Sequence, residues 1–170
     1  MNAIILTAIW GVVMMFGGVY LKSKTSPKYL AIAGLLLTLA ANIAEYFGYP
    51  IFSVNTRGML RFDNFSLLFI TVVLMCTLIY FLLSSRDIEK AGSSVSEYFA
   101  LIFFVLCGVA IAASFKTLLM LFLGIEIMSI PLYVLTGSDK RNLKSNEAAL
   151  KYFLMGAFST GLMLMGIALM

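Results

Sequence analysis

The sequence has 170 residues, of which 62% are hydrophobic and 12% charged. Soluble domains carry roughly 25% charged residues, so this composition belongs to an all-α integral membrane protein and leaves almost no sequence for a soluble enzyme domain. The net charge of +4 is gathered in the connections between apolar runs, where it reports topology in a lipid bilayer, and no nucleic-acid partner is expected.

Six apolar runs follow one another, each about as long as a bilayer requires. The first, Ala3 to Leu21, leads into a lysine cluster, Lys22, Lys24 and Lys28. It lacks the leading positive region of a secretory signal and is read as a retained first span. The second, Tyr29 to Phe47, carries Asn42 and Glu45 near its far end and stops at Gly48-Tyr49-Pro50; Glu45 is expected to reach the solvated interface. The connection Gly48 to Asn64 is the longest, with aromatic and basic residues suited to the headgroup region, and has room for a short extended piece.

The third run, Phe65 to about Leu83, ends in SSRDIEKAGSSVSE, a polar loop containing Arg86 and Lys90. The fourth, Tyr98 to Ala113, is followed by Ser114-Phe115-Lys116, too short for anything but a tight turn, so the fifth, Thr117 to Thr136, returns beside it antiparallel. After GSDKRNLKSN the sixth runs from near Asn146 to Met170, with Ser145 read as its N-cap and Glu147 in its first turn. Gly156, Ala157, Thr160 and Gly161 give it a small-residue stripe for close packing. Because no polar flank follows, the chain is expected to be the N-terminal part of something longer.

The connections after the first, third and fifth runs, with Lys151, hold nine of the twelve Lys and Arg residues. By the positive-inside rule that side is cytoplasmic, and the N-terminus lies on the other.

Several chemistries have nothing to stand on. There is no histidine, and Cys76 and Cys107 lie in different apolar runs, where small buried hydrophobes is the expected role. Metal and haem ligation by this chain is therefore not expected, nor is any cofactor bound by it. No phosphate-binding glycine loop or Ser-His-Asp set is present.

One residue breaks the apolar pattern where breaking it is costly. Glu126 stands nine residues from Thr117 and ten from Thr136, about 14 Å from either end and close to the bilayer midplane. A carboxyl there costs at least a few kcal/mol unless it is protonated, paired or facing water. Ser129 and Tyr133, at i+3 and i+7, share its face. Pro131 removes a backbone N–H and its ring crowds the carbonyl of Ile127, so a bend is expected one turn beyond the glutamate. Two readings stay open: a proton- or ion-handling carboxyl, or half of a static buried ion pair. Lys151 is the second candidate, either on a proton pathway or an interfacial lysine paired with Glu147 at i−4.

The run EYFALIFFVLCGVAIAASFKTLLMLFLGIEIMSIPLYVLTG, followed by SNEAALKYFLMGAFSTGLMLMGIALM, resembles the antiporter-like membrane subunits of proton-pumping respiratory complex I, above all the subunit N family of bacterial NADH-quinone oxidoreductase. Residues 1–96 match mainly in hydrophobic layout and in the FDNFS entry to the third span. The resemblance implies a fold of about fourteen helices with two inverted five-helix repeats. Residues 1–97 would be the leading helices, and residues 98–170 the truncated opening of the first repeat. It implies that Glu126 is the family's helix-five glutamate, switching proton occupancy with a helix-seven lysine absent from this sequence, and that Lys151 lies near the same half-channel.

It further implies a translocase subunit without a redox centre of its own, in the bacterial inner membrane. Other membrane subunits of the complex would be its partners, and NADH, FMN, iron–sulfur clusters and quinone would be handled elsewhere in that complex. Burial favours the neutral acid and a nearby lysine the carboxylate, so moving the lysine changes proton occupancy. A subunit of the related multisubunit sodium/proton antiporters is the alternative, and a purely structural membrane subunit the third reading.

Overall fold

The computed structural model describes residues 1–20, 26–49, 51–52, 56, 58–84 and 95–170. The expected Lys22, Lys24, Arg57, Arg86 and Lys90 of the connections lie outside the described residues.

Six helices follow in order: α1 (Asn2–Tyr20), α2 (Ser26–Tyr46), α3 (Asn64–Ser84), α4 (Val95–Ala113), α5 (Leu118–Thr136) and α6 (Leu143–Leu169). The helices α2 to α6 are long and apolar enough to cross a membrane, and α1, with 19 residues, falls in the same range of length. Each begins within about three residues of the position expected from the hydropathy pattern.

The start of α6 is the one cap that differs. Asn142, not Ser145, is the N-cap: its side chain accepts from the backbone N–H of Lys144 at 3.0 Å. Ser145 lies inside the helix and donates instead to the carbonyl of Thr136 at 2.7 Å, so Glu147 falls beyond the first turn. An Asn at the earlier position supplies the same oxygen acceptor that Ser would, and the helix gains three residues.

Helix α4 sits at the centre, packed against α1 on one side and α5 on the other, while α2 joins α1 to α3. The core gathers Met14, Leu35, Leu74, Phe81, Phe99 and Phe103, all fully buried. Phe81 meets Phe99 and Phe103 edge-on, with ring centroids 4.7 and 6.0 Å away. Small residues set how closely these helices approach: a Cβ on Gly11 would stand 2.9 Å from the Phe104 ring, and one on Gly34 2.6 Å from the Trp10 indole. Hydroxyls within the spans are satisfied locally, as when Thr7, Thr38 and Thr71 donate to carbonyls four residues back.

One membrane face is stitched across its loops. Helix α2 ends in a Schellman turn, with Gly48 at φ +91° and Tyr49 N–H donating to the carbonyl of Ala44. The long connection then makes its extended piece as an antiparallel bridge between Leu60 and Phe115, with Arg61 N–H on the Ser114 carbonyl at 2.8 Å.

Glu45 is a correction on the same face. Rather than reaching solvent, its side chain is only 10% exposed and accepts from the terminal ammonium of Met1 and from the backbone N–H of Asn2. The first N–H groups of α1 have no helical partners, and the carboxylate at the end of α2 supplies one. Burial pushes the pKa of that ammonium below its usual value, while Glu45 pulls it back up. Cys76 also departs from expectation: Cys107 is buried, but Cys76 is exposed on α3, which lies at the edge of the bundle.

Candidate functional site

Helix α5 is the element on which the unusual carboxyl sits. It starts after Thr117, in an extended conformation, and ends at Gly137, running unbroken through the buried Pro131. Glu126 is eight residues from its start and ten from its end, about 12 and 15 Å along the axis. It therefore lies near the middle of a helix of bilayer length.

Two contacts fix how α5 is rotated. Toward α4, its backbone comes so close that a Cβ on Gly108 would stand 2.5 Å from the Met128 nitrogen and 2.8 Å from the Gly124 carbonyl oxygen. Reciprocally, a Cβ on Gly124 would stand 2.7 Å from the Ala112 nitrogen. Pro131, on this same side of the helix, is buried as well. Toward α6, Tyr133 lies against Gly156, with its ring edge-on to Tyr152 and Phe153 at 4.8 and 5.7 Å. Gly137 meets Ala149 one turn further on.

At about 100° per residue, Gly124 is some 200° from Glu126, whereas Tyr133, seven residues on, is within about 20° of it. Glu126 thus projects from the side of α5 opposite α4, in line with the residues that meet α6. It is half-buried and has no hydrogen bond or ion pair among the described residues. Ser129, although on this side, donates to the carbonyl of Ile125 at 2.7 Å. Pro131 has no N–H to give the Ile127 carbonyl, so that acceptor loses its ordinary helical donor.

Lys151 is not brought to Glu126. Its ammonium pairs with Glu147 at 2.5 Å, and both side chains are largely exposed. The α6 residues that touch α5 include Ser145, Ala149, Tyr152, Phe153 and Gly156, and Lys151 lies about 140° around the helix from Gly156. Along the axis it is level with the stretch of α5 between Tyr133 and Gly137, about 13 Å from the level of Glu126. Of the small-residue stripe, Gly156 receives the Tyr133 ring, while a Cβ on Gly161 would meet open space. No residue of α6 is buried.

The facing glycines Gly108 and Gly124 are the part of the site that sequence reading passed over. Their only signal is the Gly124 position itself, two residues before the glutamate and therefore on the opposite side of the helix. Among the described residues, no group of three or more His, Cys, Asp or Glu side chains converges to hold a metal ion.

Residues 115–170, which include Glu126 and Lys151, match the family described as NADH:quinone oxidoreductase/Mrp antiporter, transmembrane. Over 99% of its length the chain is 38% identical to an NADH-quinone oxidoreductase subunit N from Cytophaga hutchinsonii. Over 81% it is 44% identical to the subunit N of Flavobacterium johnsoniae. A chain of respiratory complex I from Thermus thermophilus, solved with bound aureothin, superimposes with a TM-score of 0.77 over 98% of this chain at 28% identity. The chain spans 36% of the Cytophaga relative, 29% of the Flavobacterium one and 36% of the Thermus chain. By sequence along nearly all of its length, and by fold, this chain belongs to the antiporter-like membrane subunits of the NADH:quinone oxidoreductase/Mrp antiporter family.

Proposed function

We propose that this chain is part of a proton-translocating membrane subunit of a bacterial NADH-quinone oxidoreductase, with Glu126 as a group that takes up and releases the proton. One observation carries the reading: a half-buried carboxyl stands near the middle of a helix of bilayer length with no partner among the described residues, on the side of α5 turned away from the packed α4. A carboxyl in that setting is costly to keep charged, so a cation approaching or leaving it changes its proton occupancy. Ser129 and Tyr133 support it by giving that side of α5 its polar atoms, and Pro131 by leaving the Ile127 carbonyl without its ordinary helical donor.

In this reading quinone reduction elsewhere in the complex moves such a cation. The chain itself carries no redox centre; NADH, FMN, iron–sulfur clusters and quinone belong to the whole assembly. The helices α1 to α3 form the leading segment, and α4 to α6 open the first antiporter-like repeat. Lys151, on the outer side of α6, serves the pathway from there through whatever helix packs against that side. The partners are other membrane subunits and the bilayer of the bacterial inner membrane, with Met1 on the non-cytoplasmic side, as the distribution of Lys and Arg supports.

The test is Glu126→Gln in the full-length subunit within the assembled complex. Proton pumping per NADH oxidised falls sharply, and Glu126→Asp retains more than Glu126→Gln. Unchanged pumping with intact assembly overturns the proposal. The family description also names Mrp antiporters. Sodium-coupled proton exchange with no dependence on NADH would select that second reading.

A further inference from the structure

The membrane face that carries Lys140, Arg141 and Lys144 also holds a cavity of about 510 Å³, between the start of α4 and the end of α5. Its wall toward the bilayer interior is apolar, made by Leu101, Val134 and Leu135. Its mouth is charged with both signs: Glu97 and Asp139 on one hand, Lys140 and Arg141 on the other. These four line one opening, and none of them forms an ion pair with another described residue. The Asp139 carboxylate accepts only a 3.3 Å bond, from the backbone N–H of Arg141, among the described residues. Unpaired charges of opposite sign around one opening are arranged for a ligand that itself carries both.

We propose that this cavity binds a zwitterionic phospholipid whose headgroup is a primary ammonium, a phosphatidylethanolamine. The layers of the site match the layers of that molecule. Lys140 and Arg141 take the phosphate, Arg141 through its fork of N–H donors. Glu97 and Asp139 take the headgroup cation. The acyl chains leave along Leu101, Val134 and Leu135, where Val134 is already 53% exposed to the surroundings. The volume holds a headgroup and glycerol within the usual range for small-molecule sites, and the chains lie outside it. The two carboxylates disfavour a purely anionic headgroup. They also select an ammonium bearing N–H over a trimethylammonium, which has no hydrogen to donate.

The experiment uses the intact full-length subunit, purified in detergent and stripped of lipid. It is titrated with phosphatidylethanolamine, phosphatidylcholine and phosphatidylglycerol of identical chains, and retained lipid is counted by native mass spectrometry. Phosphatidylethanolamine is held about tenfold more tightly than the other two, the worth of a charge-assisted hydrogen bond. Glu97→Gln with Asp139→Asn removes that preference while leaving lipid bound; Lys140→Gln with Arg141→Gln weakens all three lipids. Equal retention of the ethanolamine and choline lipids by the unaltered protein overturns the proposal, and that comparison needs no variant. So does tighter retention of phosphatidylglycerol, displacement of the lipid by inorganic phosphate alone, or absence of the lipid from the intact complex because a protein segment fills the cavity.

Discussion

Gly108 of α4 and Gly124 of α5 face each other so closely that a Cβ on the first would stand 2.8 Å from the carbonyl oxygen of the second. This notch presses one side of α5 against α4 and leaves the other side, with Glu126, turned away. The neighbouring atoms are backbone, which cannot swing aside as a side chain would. Gly108→Ala therefore forces the helices apart and costs about 1–3 kcal/mol, with Gly108→Leu worse. Thermal unfolding of the purified protein measures it. A Gly108→Ala protein as stable as the original would show that the two helices separate freely.

The seam between α5 and α6 makes a prediction of a different kind. A side chain at Gly156 would land 2.0 Å from the hydroxyl oxygen of Tyr133. The obstacle here is a side chain, so its removal should relieve the clash. Gly156→Ala alone destabilises by about 1–2 kcal/mol, and in a Tyr133→Ala background the same change costs at least about 0.5 kcal/mol less. Additive effects of the two substitutions would mean that α6 does not dock on Tyr133.

Glu45 gives a test at the other end of the bundle. Its carboxylate accepts from the backbone N–H of Asn2 at 2.9 Å, while the Asn2 side chain donates to the carbonyl of Ala41 at 3.1 Å and accepts from the N–H of Phe52. Glu45→Gln keeps an oxygen acceptor for Asn2 and is the milder change. Glu45→Leu leaves that donor buried and unpaired, costing about 1–3 kcal/mol. Equal unfolding temperatures for the Gln and Leu variants would count against the hydrogen bond.

What the sequence made legible was whatever one helix decides alone. Six apolar runs of bilayer length located six helices, because span length is set by the membrane and not by neighbours. Glu126 stood out for the same reason, since an acid amid Leu, Ile and Phe is anomalous before any contact is known. What stayed hidden depends on pairs distant in sequence. Glu45 read as solvated because its donor, Asn2, is 43 residues away. A lone glycine in an apolar helix has no periodicity to read, so the Gly108–Gly124 notch was invisible. The cap of α6 lay in a polar stretch offering several suitable oxygens, and local chemistry alone pointed to Ser145 where the helix starts at Asn142.

Lys151 separates structure from transport most cleanly, because its stability contribution is small. It and Glu147 form an exposed i,i+4 pair, with 69% and 62% of their side chains accessible. Such pairs are worth roughly 0.3–0.5 kcal/mol on a helix, and salt screens them. Lys151→Met should therefore shift the unfolding temperature little, and raising the salt concentration should erase even that difference. A fall in proton pumping by an assembled complex carrying Lys151→Met would then report on the proton pathway rather than on folding. Glu147→Gln is the control: if Lys151 acts only through its pair, the two variants pump alike. If the lysine itself lies on the pathway, Lys151→Met loses pumping that Glu147→Gln retains. Full pumping by both would remove Lys151 from the mechanism and leave Glu126 to act with groups elsewhere.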